Sequence, residues 1–244
     1  MRSLNFLVMK RYAVIDKRMP QTCKETLEAR GFSLIPLPPF ELFDKPVSAH
    51  PDMLMFFGDK LVCHEEYFGL AENEIKSIAN AKGVDIELSR EPIDKKYPSD
   101  VLFNALELGN NILCREGSVS EHIKKYAKRL GKCIVNVKQG YTKCSVCKVS
   151  DNAIITSDKN IANTAKSLGI SVLEIDSSGV ILNGYNCGFI GGASGNDGKN
   201  TYFCGNIRLH SNGTEIVDFC NEHGAPAISL SNEPLYDVGT IFFI

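Results

Sequence analysis

Asp100-Val-Leu-Phe-Asn-Ala-Leu-Glu-Leu-Gly-Asn-Asn-Ile-Leu-Cys114 reads as a β-hairpin. The apolar run to Leu108 is one strand, and Ile112-Leu-Cys114 is the returning one. Gly109-Asn110-Asn111 between them is a turn, because Gly and Asn tolerate positive φ. Downstream, Ser118-Val-Ser-Glu121 has the spacing of a capping box. Ile123, Tyr126, Ala127 and Leu130 then recur at helical spacing. Gly131 stands where a helix ends in the left-handed conformation, and Cys133-Ile-Val-Asn-Val137 is a further strand. The unit is β-β-α-β.

The same order recurs along the chain. Gly31, Gly83, Gly131, Gly169 and Gly224 each close a helix-like stretch and precede a strand-like one. They stand roughly 40 to 55 residues apart, a spacing that signals a closed array of repeated units. The second unit runs from Met53–Phe57 through a Gly58-Asp59 turn and Leu61–Cys63 to Val84–Leu88. The fourth runs from Cys144–Val149 through an Asp151-Asn152 turn and Ala153–Thr156, with Asp158 as N-cap, to Ile170–Ile175. The fifth runs from Cys187–Ala193 through a turn at Asn196-Asp197-Gly198 and Tyr202–Leu209 to Ala227–Leu230. The first unit is incomplete. It has the strand Tyr12–Ile15, a helix capped at Thr22-x-x-Glu25, and Phe32–Leu37, but no leading strand. Asp237-Val-Gly-Thr-Ile-Phe-Phe-Ile244 is a strand without a following helix, so it is expected to supply the missing piece. That pairing would also cover an apolar edge. The proline-rich stretch 36–51 is expected to be a connecting loop. No linker divides the chain, which predicts one domain over 1–244.

The chain of 244 residues is 43% hydrophobic and 23% charged, enough apolar material for a sizeable core. A net charge of −2 carries no electrostatic footprint for nucleic acid. The basic run Lys124-Lys-Tyr-Ala-Lys-Arg129 reads as a solvated helix face. Leu4–Met9 is too short for a signal sequence, and no apolar stretch reaches membrane-spanning length. Nine cysteines, an odd number scattered over the units, fit free thiols in a reducing cytoplasm better than a disulfide framework.

Five β-β-α-β units closed by the terminal strands resemble the pentein superfold, a five-bladed α/β propeller with pseudo-fivefold symmetry. Its members include amidinotransferases, arginine deiminases, dimethylarginine hydrolases and agmatine deiminases, and also a non-catalytic ribosome-binding translation factor. Three local segments, Gly140-Tyr-Thr-Lys-Cys-Ser-Val-Cys147, Gly184-Tyr-Asn-Cys-Gly-Phe-Ile-Gly-Gly192 and Pro234-Leu-Tyr-Asp-Val-Gly239, resemble a bacterial family of unknown function within that superfold. The resemblance implies a small-molecule site in a central channel lined by the first strand of each unit.

The starts of those strands supply the candidates: His50-Pro-Asp52, Tyr97-Pro-Ser-Asp100, Tyr141-Thr-Lys-Cys144, Tyr185-Asn-Cys187 and Tyr236-Asp237. Asp52, Asp100 and Asp237, with Asn104 and Asn186, are candidates to bind a small cationic or amidine-like ligand, since carboxylates hold a planar guanidinium through paired charge-assisted hydrogen bonds. Cys144 or Cys187, with His50 as its base, is the candidate nucleophile for hydrolysis of an amidine carbon. Each has a structural alternative. Asp before a strand is also a turn residue, His50 before Pro51 is also a loop histidine, and buried cysteines are also small core fillers. The guanidino-modifying penteins carry their nucleophilic cysteine near the C-terminus, and the last strand here has none. The alternative function is therefore non-catalytic binding. Cys144-x-x-Cys147 lies on a predicted strand, where residues three apart face opposite sides, so no metal or other cofactor is expected. Gly191–Lys199 departs from a phosphate-binding loop and reads as a hairpin turn.

Overall fold

Ser120 starts and Gly131 stops the helix of the unit that reads most clearly in the sequence. Ser120 Oγ accepts a hydrogen bond from the His122 amide, and Gly131, at φ 66°, takes the left-handed position that satisfies the last carbonyls. The computed structural model describes residues 10–244. All five repeat-marking glycines have positive φ, between 66° and 85°, so the punctuation seen in the sequence is the punctuation of the chain.

The elements follow in order. The first unit comprises β1 (Arg11–Asp16), α1 (Gln21–Ala29) and β2 (Phe32–Leu37). The second comprises α2 (Pro51–Leu54), β3 (Met55–Phe57), β4 (Lys60–His64), α3 (Glu65–Leu70), α4 (Glu72–Lys82) and β5 (Asp85–Ser89). The third has β6 (Leu106–Leu108), β7 (Asn111–Cys114), α5 (Glu121–Leu130) and β8 (Cys133–Asn136), and the fourth β9 (Val146–Ser150), β10 (Ala153–Thr156), α6 (Lys159–Ser167) and β11 (Ser171–Glu174). After β12 (Val180–Ile181) come β13 (Ser194–Asn196), β14 (Thr201–Phe203), α7 (Gly213–Glu222) and β15 (Ala227–Ser229), then β16 (Leu235–Tyr236) and β17 (Phe242–Phe243).

The strands form five three-stranded sheets, ordered β17-β1-β2, β3-β4-β5, β6-β7-β8, β9-β10-β11 and β13-β14-β15, and a short β12-β16 pair. In each of the five, the first two strands are antiparallel and the last two are joined in parallel across a helical crossover. The C-terminal strand does complete the first sheet: Val14 lies opposite Phe242 and Ala13 opposite Phe243. Pro36 lies inside β2 rather than in the loop expected to begin there. It is tolerated because β2 is an edge strand with β1 as its one partner.

Neighbouring side chains on each middle strand enter different cores, as a period of two requires. Val14 packs with Leu61 and Cys63 of the second sheet, whereas Ala13 and Ile15 pack with Tyr202 and Cys204 of the fifth. Val62 joins Ile112, Leu113 joins Ile154, and Ile155 joins Phe203 in the other clusters. Each of the five cores is thus shared by two sheets, and one of them couples the fifth sheet to the first.

Two caps differ from expectation. α1 begins after Pro20 with no side-chain cap, because the helix starts ahead of Thr22 and places that residue inside its first turn. The cap of α5 is Ser120 rather than Ser118. The leading strands are also shorter than predicted. Residues 51–54 form α2, and 98–105, 139–145 and 187–193 turn or coil instead of extending; these segments carry most of the candidate site residues.

Candidate functional site

The leading strands β3, β6, β9, β13 and β17, one from each sheet, contribute Phe57, Glu107, Lys148, Asn196 and Phe242 to the lining of a cavity of about 330 Å³. Asp52, Lys143 and Thr240 also line it. These three side chains come from turns preceding β3, β9 and β17 and are joined by hydrogen bonds. Lys143 Nζ donates to Thr240 Oγ1 at 3.1 Å, and Thr240 Oγ1 lies 2.8 Å from Asp52 Oδ2 and 3.1 Å from the Gly191 carbonyl, as donor to one or the other. The Asp52 amide donates to the Gly239 carbonyl at 3.1 Å. Asp52 is 1% exposed, and its Oδ1 has no hydrogen-bond partner among the described residues. A buried carboxylate oxygen without a partner is costly. Burial pushes the Lys143 amine below its ordinary pKa, with the Asp52 charge opposing.

The remaining candidates are distributed differently. Asn104 is a structural clamp: its Oδ1 accepts from the amides of Lys143 and Cys144 at 2.7 and 3.3 Å, and its Nδ2 donates to the Asp52 carbonyl at 3.2 Å and lies 3.0 Å from Cys144 Sγ. Asp237 clamps two turns, accepting from Phe189 N at 2.8 Å and Gly239 N at 3.0 Å. Its carboxyl is raised above the ordinary range by burial, with His50 opposing. His50 lies between two carboxylates, Nδ1 3.8 Å from Asp237 Oδ1 and Nε2 4.0 Å from Asp16 Oδ2. His50 and Asp237 line a second cavity of about 270 Å³, beside Arg18. Asp100 receives the Tyr141 hydroxyl at 2.5 Å, and burial raises its carboxyl.

The cysteines depart furthest from expectation. Cys144 is buried and does not line the larger cavity. Its thiol is pushed well above the ordinary value by burial and by the Asp52 and Asp237 carboxylates, the reverse of what a thiolate nucleophile needs. Cys187 is exposed, in a shallow groove with Asn186 and Tyr185, and the structure does not bring it or Asn186 to His50 or to Asp52. The thiol that is lowered, to about 7 by a hydrogen bond with Cys204, is Cys23 on α1, in the core between the first and fifth sheets. All nine cysteines are free, and no group of metal-ligating side chains is assembled among the described residues.

Sequence reading passed over Lys143 and Thr240. Lys143, within Tyr141-Thr-Lys-Cys144, resembles any surface lysine in the sequence. Thr240 carried no signal at all, since its importance comes from a backbone conformation, φ 69°, that no sequence pattern announces.

A family model described as a family of unknown function, DUF6873, matches residues 14–242. The chain belongs to that family. The fold is also shared with solved structures. DDAH from Pseudomonas aeruginosa, a cysteine-to-serine mutant complexed with citrulline, superposes with a TM-score of 0.56 over 92% of this chain and 93% of its own, at 9% identity. C. jejuni agmatine deiminase superposes with a TM-score of 0.55 over 90% and 87%, at 8% identity. At such identities the likeness establishes a pentein-like mixed α/β fold and nothing about the reaction. No curated protein matches the sequence significantly. No helix among the described residues is long and apolar enough to cross a membrane.

Proposed function

We propose that the protein binds a small nitrogen-rich molecule of the amidine, guanidine or urea type in the larger cavity. In this reading the chain is one pentein-like domain whose five sheets stand as blades around that cavity, closed by the β17–β1 pairing. The lining by all five leading strands and the five shared cores support the ring. The observation that carries the ligand is Asp52 Oδ1, a buried acceptor without a partner at a cavity lined by Phe57 and Phe242. An N–H donor on a flat, delocalised group would satisfy it, and the aromatic rings would cover the faces of that group. The two solved relatives point the same way, one holding citrulline and the other named for agmatine.

Binding without cysteine chemistry is the better supported form, because the Cys144 thiol is buried and held protonated behind the cavity. Free thiols throughout fit a reducing, cytoplasmic setting. Titration calorimetry with agmatine, L-arginine and L-citrulline tests the proposal. At least one should bind, and Asp52→Asn should weaken it about tenfold or more, the value of a charge-assisted hydrogen bond. Binding untouched by Asp52→Asn, or no binding by any of the three, would sink it. Release of ammonia from a bound compound would reinstate catalysis.

A further inference from the structure

Lys143 and Thr240, which the binding proposal does not use, meet Asp52 at one place. Lys143 presents its amine to the cavity and makes no ion pair among the described residues. Its Nζ is 5.7 Å from the centroid of the Phe242 ring and bonds to Thr240 Oγ1 at 3.1 Å. Thr240 is the one non-glycine residue with positive φ among the described residues, at 69°. For a β-branched residue that conformation is strained, and such strain persists at functional positions. The strained backbone sets the hydroxyl between the amine and Asp52 Oδ2, which it reaches at 2.8 Å. The other oxygen of that carboxylate is buried and has no hydrogen-bond partner among the described residues.

We propose that Lys143 forms a reversible imine with an aldehyde or ketone entering the cavity, with Thr240 and Asp52 as its proton relay. The amine nitrogen adds to the carbonyl carbon. One amine proton passes through the Thr240 hydroxyl to Asp52 Oδ2, and the former carbonyl oxygen then takes a proton back from the Thr240 hydroxyl, which Asp52 reprotonates, giving a carbinolamine. The second nitrogen proton follows the same relay, the C–O bond breaks, and water leaves, so that amine and carbonyl become imine and water. Desolvation makes a lysine a better nucleophile, and burial of the Lys143 amine works in that direction against the opposing Asp52 charge.

The inference rests on the reading of the cavity as a small-molecule site, but not on the ligand being a guanidino compound. The whole protein is incubated with pyruvate, or with propanal as an uncharged comparison, together with sodium cyanoborohydride, and the adducts are located by peptide mass mapping. Reduction of an imine fixes the carbonyl carbon to the lysine that formed it. Lys143 should be modified clearly faster than the exposed lysines, since lowering the amine pKa raises its neutral fraction. Thr240→Ser should keep that rate, whereas Thr240→Gly, which suits the backbone but lacks the hydroxyl, should slow it about tenfold or more. Label spread over the lysines by exposure, with Lys143 no faster than the rest, overturns the proposal. So does a Thr240→Gly protein that traps as fast as the wild type. Calorimetry with the guanidino compounds separates the two readings: they can still bind when Lys143 stays unmodified, and only the imine then falls.

Discussion

At Gly192 there is no room for a methyl group. A Cβ there would stand 1.9 Å from Asp237 Oδ1 and 2.5 Å from its Cγ, and Asp237 cannot withdraw without releasing the amides of Phe189 and Gly239. Gly192→Ala should therefore cost about 3 kcal/mol by overpacking alone. Gly198→Ala is the useful comparison: its φ is +84°, but a Cβ would meet nothing within 4 Å, so it should cost only the left-handed penalty of about 1–2 kcal/mol. Urea unfolding of the two variants checks the difference, and equal losses would mean that the Asp237 clamp yields. The same residues explain a limit of sequence reading. Asp237 and Asn104 were chosen for their chemistry, yet both spend their polar atoms on the backbone of neighbouring turns. A carboxylate that binds amides of its own chain and one with an oxygen left unpartnered look alike in the sequence. Only the hydrogen-bond partners separate Asp237 from Asp52.

Among the elements, helix ends were the most legible feature, because capping is local chemistry. Asp158 caps α6 as its position predicts, its Oδ1 accepting from Ile161 N at 2.8 Å. Asp158→Ala should lower stability by about 1 kcal/mol, whereas Thr22→Ala, at a residue whose side chain caps nothing, should change it by a few tenths at most. Thermal melts of the two proteins make the comparison, and a Thr22→Ala loss matching that of Asp158→Ala would contradict the observed start of α1. The leading strands were the least legible elements. Their apolar runs were long enough to predict extension from the site residues onward, but β6 begins only at Leu106 and β13 only at Ser194. Before β9 and β13, amides are taken by side chains of other units: Asn104 takes those of Lys143 and Cys144, and Asp237 that of Phe189. No local propensity contains that competition.

For the molecule as a whole, β17 decides whether there is a cavity. Its residues pair with β1 on one side and pass β13 on the other. There Gly195 has no side chain, and a Cβ would lie 2.1 Å from the Ile241 carbonyl. A chain ending at Thr240 should lose the cavity wall formed by Phe242 and Phe243, melt at a clearly lower temperature, and fail to bind the guanidino compounds proposed to bind the full chain. Calorimetry and melting on that protein check both, and full-strength binding by it would place the ligand elsewhere. The need for such a strand was readable in the sequence, because a first unit lacking its leader and a final strand lacking its helix complete one another. The glycine-marked period, the hairpins and the crossover helices were readable for the same reason: each depends on residues within a few positions of one another, where φ preferences, capping and periodicity act. The site was not readable in that way. Asp52 and Thr240 are 188 positions apart and Lys143 and Thr240 are 97 apart. Their meeting, the strain at Thr240 and the unpartnered oxygen of Asp52 exist only once the sheets have packed and excluded water, so tertiary structure alone decided which polar residues meet at the cavity and which became clamps.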